Sequence, residues 1–298
     1  MKANKGYLLT IIVCLCLLAE NLCCQQQNDS TNFYRVEATD GNEFFGALVF
    51  ENNDSLVLRT EIYGELTLRK LMVRKITRLQ PKVYKAGEYW PENLQAGRYF
   101  WVPSGHGLKA GEGYYQNVWV MFNQFAVGVT DWLSLGGGMV PLFLFPEAPT
   151  PLWFSPKLSI PVSKNKFSLG AGALVGTWIG EEGEGSFGIV YGLTTLGDRS
   201  NNISFGMGYG YSQGDFNSNP TLNLSFMIRT GPKGYLVSEN YYIGMGEHPL
   251  TLISFGGRTM VRKVGIDYGL FIPFSSEMES LFAIPWLGFT VPFGRVAY

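Results

Sequence analysis

The sequence predicts an all-β protein: a transmembrane antiparallel up-and-down β-barrel of about twelve strands, with ten as the alternative count, preceded by a small β-rich domain. Three observations predict it. From residue 95 onward the chain is written in strand-like runs that alternate large apolar with small or polar side chains. The composition is poor in charge and rich in glycine and aromatic residues. The connections between the runs alternate between short and long.

Successive strand residues point to opposite faces of a sheet, so alternation sorts them into two sets. Ile203, Phe205, Met207, Tyr209 and Tyr211 alternate with Ser204, Gly206, Gly208, Gly210 and Ser212. Phe167, Leu169, Ala171, Ala173 and Val175 oppose Ser168, Gly170, Gly172, Leu174 and Gly176. Leu222, Leu224, Phe226 and Ile228 oppose Thr221, Asn223, Ser225, Met227 and Arg229. A soluble barrel needs Lys, Glu and Thr on its wet outer face. Here the second face is mostly Gly and Ser, which suits a lumen, with the large apolar face turned to lipid.

Charged residues make up only 16% of the chain and aromatics 15%, and 37 of the 298 residues are glycine. Ordinary soluble domains carry about 25% charged residues and about 7% glycine. The formal net charge of -1 leaves no basic surface for a nucleic-acid partner.

The N-terminus reads as a signal peptide over residues 1–24, with Lys2 and Lys5 ahead of an apolar run over 7–19 that is too short for a membrane helix. All four cysteines, Cys14, Cys16, Cys23 and Cys24, lie in it, so cleavage leaves a mature chain with neither disulfide framework nor Cys-ligated metal. Lipidation of Cys23 or Cys24 is the alternative, although Glu20, Asn21 and Leu22 lack the small-residue character of a lipoprotein signal. Beyond this segment no apolar run is long enough for a membrane helix.

Residues 33–80 form the small domain, where turn signals at Asp40 and Gly41, at Asn52, Asn53 and Asp54, and at Tyr63 and Gly64 separate about five short strands. Arg59, Glu61, Arg69, Lys70, Arg74 and Lys75 make it charged enough to be soluble. Its pattern, carried by Asp40, Gly41, Gly46, Asp54 and Gly64, resembles the Sm-like and SH3-like small barrels. A plug or spacer domain and a binding module are the two roles open to it.

The barrel is expected over 95–298. Short connections fall at Thr130 and Asp131, 163–166, 197–201, 231–234, and Arg262 and Lys263; long ones fall at 145–153, 179–185, 212–220, 245–250 and 275–282. Bacterial outer-membrane barrels have short periplasmic turns, long extracellular loops and an even strand number. With the short turns periplasmic, the strand at 114–129 runs downward, so an upward strand must precede it, and 95–103, containing Arg98, Tyr99, Phe100, Trp101 and Val102, supplies it. Both barrel ends and the 33–80 domain then lie in the periplasm. The terminal aromatic Tyr298 resembles the last residue of bacterial outer-membrane barrel proteins, whose final strand is read by the barrel-assembly machinery. That resemblance implies an outer-membrane location, with lipid and the assembly machinery as partners.

The turn at Arg262 and Lys263 fixes a register. Val261 faces Val264, Thr259 faces Ile266, Gly257 faces Tyr268, Phe255 faces Leu270 and Ile253 faces Ile272 on the outer face. On the inner face Met260 meets Gly265, Gly256 meets Gly269 and Arg258 meets Asp267. Opposite charges directly across strands stabilise the pairing by roughly 0.2–1 kcal/mol. Arg229, two strands away, is a candidate third member. The group reads either as a charged constriction selecting solutes or as a structural tie across the wall. Glu239 shares a face with Val237 and Tyr241, which requires a bulge, a rim position or a lumenal one.

Outer-membrane lipid hydrolases are the enzymatic alternative, and their chemistry needs a His within reach of a Ser. Only His106 and His248 exist; His106, two residues from Ser104, is expected in an extracellular loop, as is His248. Neither has a Ser at strand spacing on the membrane face, so no catalytic residue, cofactor or metal site is assigned. Glu181, Glu182 and Glu184 read as a solvated acidic loop, with weak calcium binding as the alternative. Trp90, Trp101, Trp119, Trp132, Trp153, Trp178 and Trp286 fall near strand ends and are expected in interfacial girdles. The functional expectation is a non-enzymatic barrel, either a narrow pore or a structural or interaction protein of the envelope. A periplasmic protein is the one further partner suggested, for the small domain.

Overall fold

The computed structural model describes residues 33–60, 63–79, 84–85, 88–145, 148–180, 185–244, 249–276, 278 and 280–295. The expected signal segment with its cysteines, the acidic loop of Glu181, Glu182 and Glu184, His248 and Tyr298 lie outside the described residues. The chain divides into two compact units after Gly87.

The first unit is a five-stranded antiparallel sheet of β1 (Phe33–Ala38), β2 (Glu43–Glu51), β3 (Ser55–Thr60), β4 (Gly64–Arg69) and β5 (Val73–Leu79), in the order β4-β3-β2-β1-β5. Its turns follow the local chemistry. Gly41 takes φ 87° between β1 and β2, a conformation open to a residue without Cβ. The Asn52 side chain accepts the backbone N–H groups of Asp54 and Ser55 at 2.9 and 2.7 Å, turning β2 into β3. Val36, Leu56 and Leu58 are fully buried and gather Tyr34, Phe44, Leu48, Leu68, Val73 and Ile76 around them.

The two-residue β6 (Tyr84–Lys85) closes the first unit, and the second opens with β7 (Glu88–Tyr89), followed by β8 (Glu112–Val118), β9 (Phe122–Gly128), β10 (Leu133–Met139), β11 (Thr150–Ser163), β12 (Phe167–Ile179) and β13 (Ser186–Gly197). The chain continues with β14 (Asn202–Ser212), the two-residue β15 (Asp215–Phe216) folded back on it, and β16 (Thr221–Arg229). β17 (Gly234–Ile243), β18 (Leu250–Val261), β19 (Val264–Phe274) and β20 (Ile284–Gly294) complete it. Leaving β15 aside, each strand from β8 pairs antiparallel with the next, and β20 returns to β8 with Gly294 opposite Glu112. The result is a closed barrel of 12 strands.

The alternation sorts the faces as expected. Ile203, Phe205, Met207 and Tyr209 are exposed on the outside of β14, while Asn202, Ser204 and Gly208 are buried inside. The β18–β19 hairpin has the register required by its two-residue turn, from Val261 opposite Val264 to Ile253 opposite Ile272.

Two strand assignments need correction, and they cancel in the count. The run 114–129 is a hairpin, β8 and β9, turned by Trp119 at φ 49° and Val120 at φ 65°. Tight hairpins normally place Gly, Asn or Asp at such left-handed positions, so an apolar run carried no turn signal. The turn is held from its flanks instead: Asn117 Nδ2 donates to Val120 O at 2.8 Å and Asn123 Nδ2 to Met121 O at 2.7 Å. Trp119 also donates its backbone N–H to Leu287 O and its indole N–H to Pro285 O, covering the part of β20 that rises above β8. The second correction is that 95–103 is not a wall strand; it lies inside the barrel. Both ends of the barrel wall still fall at the short-turn end.

Candidate functional site: the filled lumen

Residues 90–111 occupy the lumen. A tight reversal folds them, in which Tyr99 N–H donates to Val102 O at 2.9 Å and Ser104 N–H to Gly97 O at 3.0 Å. Tyr99 and Phe100 are fully buried and Arg98 is 2% exposed. The inward glycines of the wall are sockets for this segment. A Cβ on Gly265 would sit 2.3 Å from the Gln95 side chain, and one on Gly269 would crowd the Phe100 ring at 3.3 Å. Phe100 packs with ring centroids 5.7 Å from both Phe271 and Trp286.

An ion cluster fastens the segment to the wall. Arg258 donates from Nε to Asp267 Oδ1 at 2.5 Å and from Nη2 to Oδ2 at 3.2 Å. Arg98 Nη1 reaches the same Oδ2 at 3.0 Å. Other guanidinium N–H groups donate to carbonyls of the lumen segment, Arg258 to Gln95 O and Tyr99 O and Arg98 to Tyr99 O and Phe100 O, while Arg98 Nη2 donates to the Gln95 and Thr290 side chains. Asp267 and Arg258 are fully buried, so neither charge would be tolerable without the other.

The second arginine on Asp267 is therefore Arg98, expected in a wall strand, and not Arg229. Arg229 sits at the start of the segment, donating to Pro91 O at 2.9 Å and Pro232 O at 2.7 Å beneath the rings of Trp90 and Tyr235. Its planar fork matches these convergent carbonyls, and its face suits the aromatic rings.

Glu239 faces the lumen, at the tip of the segment. Its Oε2 accepts the backbone N–H groups of Trp101 at 2.8 Å and Val102 at 3.0 Å, and the Tyr241 hydroxyl donates to Oε1. This resolves the facing left open by VSENYY: Val237, Glu239 and Tyr241 all point inward. Across the barrel, Lys157 Nζ donates to Gly97 O at 3.1 Å and His106 O at 2.8 Å.

His106 does not lie in a loop at the long-loop end. Its imidazole Nε2 meets Asp198 O at 3.1 Å, in the short turn between β13 and β14. Burial, then the charges of Arg199 and Lys157, hold the imidazole neutral, lowering its pKa from 6.5 to about 4. Ser104 Oγ donates to Ala96 O and accepts the backbone N–H of His106, so hydroxyl and imidazole have separate partners.

The tryptophans divide. Trp119, Trp132 and Trp178 are exposed, but Trp153 and Trp286 are buried inside the barrel, and Trp101 stacks between Trp153 and Phe122 at 5.9 and 5.8 Å. An inward Trp153 was legible from parity, because it shares a face with Ser155 and Lys157. Among the described residues no group of three His, Cys, Asp or Glu side chains is placed to hold a metal ion. A cavity of about 210 Å³ remains between the lumen segment and the β8–β16 side of the wall. No protein-family model and no curated protein matches the chain, so its closed 12-stranded barrel with an internal segment is the level at which it is classified.

Proposed function

We propose that the chain is a non-enzymatic outer-membrane barrel held shut by its own residues 90–111, a closed structural or interaction scaffold of the cell envelope. The observation that carries the closed state is the Arg98–Asp267–Arg258 cluster, which ties the middle of the lumen segment to the wall. Residence in a membrane is supported by the outer face, where Phe154, Phe205, Phe255 and Leu287 are among the exposed apolar side chains. β11–β14 and β16–β20 run 9 to 14 residues. A tilted transmembrane strand needs about 9–11.

Short turns at the end where the wall begins and finishes favour a periplasmic side there, with the Sm-like or SH3-like domain beside a periplasmic protein partner. Insertion then relies on the barrel-assembly machinery, and outer-membrane lipid surrounds the wall. Planar-bilayer recording tests the reading. Purified folded protein should give no steady conductance steps; regular steps from the unaltered chain would overturn the closed scaffold in favour of a narrow pore. Protein released from membranes by carbonate washing would overturn the location.

A further inference from the structure

We infer that the lumenal cavity is a binding site for a small organic carboxylate with an apolar body. The inference needs the lumen segment in place, but not the membrane location. The cavity arises from the register of the wall. Across β11 to β16 one inward row reads Lys157, Gly172, Tyr191, Gly208, Thr221, and across β8 to β11 another reads Tyr114, Ala126, Gly136, Ser155. Small residues, Gly172 and Gly208 in the first row and Ala126 and Gly136 in the second, stand between the polar ones and leave space that the lumen segment does not fill.

The charged groups facing this space, Arg98 and Lys157, are donors only, and the hydroxyls beside them can donate as well. An ammonium carries three N–H donors. Lys157 uses two, on Gly97 O and His106 O, and among the described residues it has no carboxylate partner. The hydroxyls of Tyr114 and Tyr191, both lining the cavity, have no hydrogen-bond partner among the described residues. Tyr191 lies across Gly172, the cross-strand neighbour of Lys157, where a Cβ would meet its hydroxyl at 2.5 Å. Thus a cation and a phenol share one row of the wall. No Asp or Glu lines the cavity, whereas Arg98 and Lys157 both do.

Around the cavity Arg98, Arg258 and Lys157 face two carboxylates, Asp267, shared by the two guanidinium groups, and Glu239, held by the lining residues Trp101, Val102 and Tyr241, so one positive charge is in excess. Leu174, Ile189 and Leu193 supply an apolar wall beside the donors. The ligand is therefore an anion at one end and apolar at the other. Its size is bounded by the volume, which equals roughly seven waters at about 30 Å³ each and falls below the about 300 Å³ of drug-sized sites. The lining reaches Ile189, Gly208 and Thr221 near the long-loop ends of their strands, which gives the direction of entry.

Calorimetric titration of the full folded chain in lipid nanodiscs tests this, using benzoate and hexanoate against benzyl alcohol and hexanol. Each carboxylate should bind saturably at one site, at least tenfold more tightly than its alcohol. Lys157→Met should remove that preference, and Gly206→Leu, which fills the cavity from a position where an added Cβ makes only ordinary contacts, 3.5 Å from Leu193 at the nearest, should abolish binding. Equal binding of acid and alcohol to the unaltered protein, no saturable binding at all, or unchanged binding by a folded Gly206→Leu protein would overturn the proposal. The acid–alcohol comparison stands even if Lys157→Met fails to fold. A conducting protein that still binds benzoate would sink the closed scaffold and keep this site; a silent protein that binds neither acid would do the reverse.

Discussion

Arg98 and Asp267, 169 positions apart in the chain, meet at 3.0 Å in the middle of the barrel. Asp267 belongs to the wall and Arg98 to the segment inside it, so this one contact joins the two parts of the fold that local structure cannot join. Arg258 completes the group from the neighbouring strand.

Removing the shared carboxylate leaves two buried guanidinium groups uncompensated. Breaking such a buried pair costs about 3–5 kcal/mol. Asp267→Ala should therefore lower the stability of the lipid-inserted protein by that order in urea unfolding. A loss under about 1 kcal/mol, the scale of an exposed pair, would mean that the cluster is hydrated.

Glu239 predicts a local effect. Glu239→Ala leaves the N–H groups of Trp101 and Val102 without their acceptor, and an unsatisfied buried donor costs about 1–3 kcal/mol. Amide exchange at these two positions should accelerate roughly tenfold or more, since 1.4 kcal/mol is a factor of ten. Exchange at Leu135, on β10 across the barrel from β17, should stay unchanged. Equal acceleration at both places would indicate global loosening instead of a released segment.

His106 predicts a pH dependence. Its pKa is lowered from 6.5 to about 4 in the folded chain, so between those values the unfolded chain holds a proton that the folded chain lacks. Stability from this group is fully present above pH 6.5 and declines as pH falls toward 4. The loss is on the order of 1–3 kcal/mol. Urea midpoints of the parent and of His106→Gln at pH 7 and pH 4.5 isolate it from the carboxylates. The parent should lose more on acidification, and equal losses would place His106 in water.

How much of this was legible varies by element. The β18–β19 hairpin was, because a two-residue turn and strict alternation leave one register, and that register puts Arg258 opposite Asp267. The β8–β9 turn was not, since Trp119 and Val120 adopt left-handed φ without the residues that normally announce it. The segment around Arg98 was misread because Tyr99, Phe100, Trp101 and Val102 form a short apolar run, and such a run suits a wall strand and a buried filler equally. The inward glycines announced space without saying what fills it. Only the three-dimensional proximity of Gly269 to Phe100 and of Gly265 to Gln95 does that.

The central claim is that residues 90–111 lie inside the barrel, and a designed cross-link tests it most directly. Gly105 of the segment donates its N–H to Thr195 Oγ1 on β13 at 2.7 Å, and a Cβ built on Gly105 falls 3.0 Å from the same atom and 2.9 Å from Ser168 O, so a side chain there requires a small local shift. Disulfides join Cβ atoms at about 3.5–4.5 Å. A Gly105→Cys, Thr195→Cys variant isolated from membranes should be bridged intramolecularly in nearly all molecules, detected by mass spectrometry of the linked peptides. Two free thiols, both reactive toward a water-soluble maleimide in the folded protein, would contradict a lumen filled by this segment.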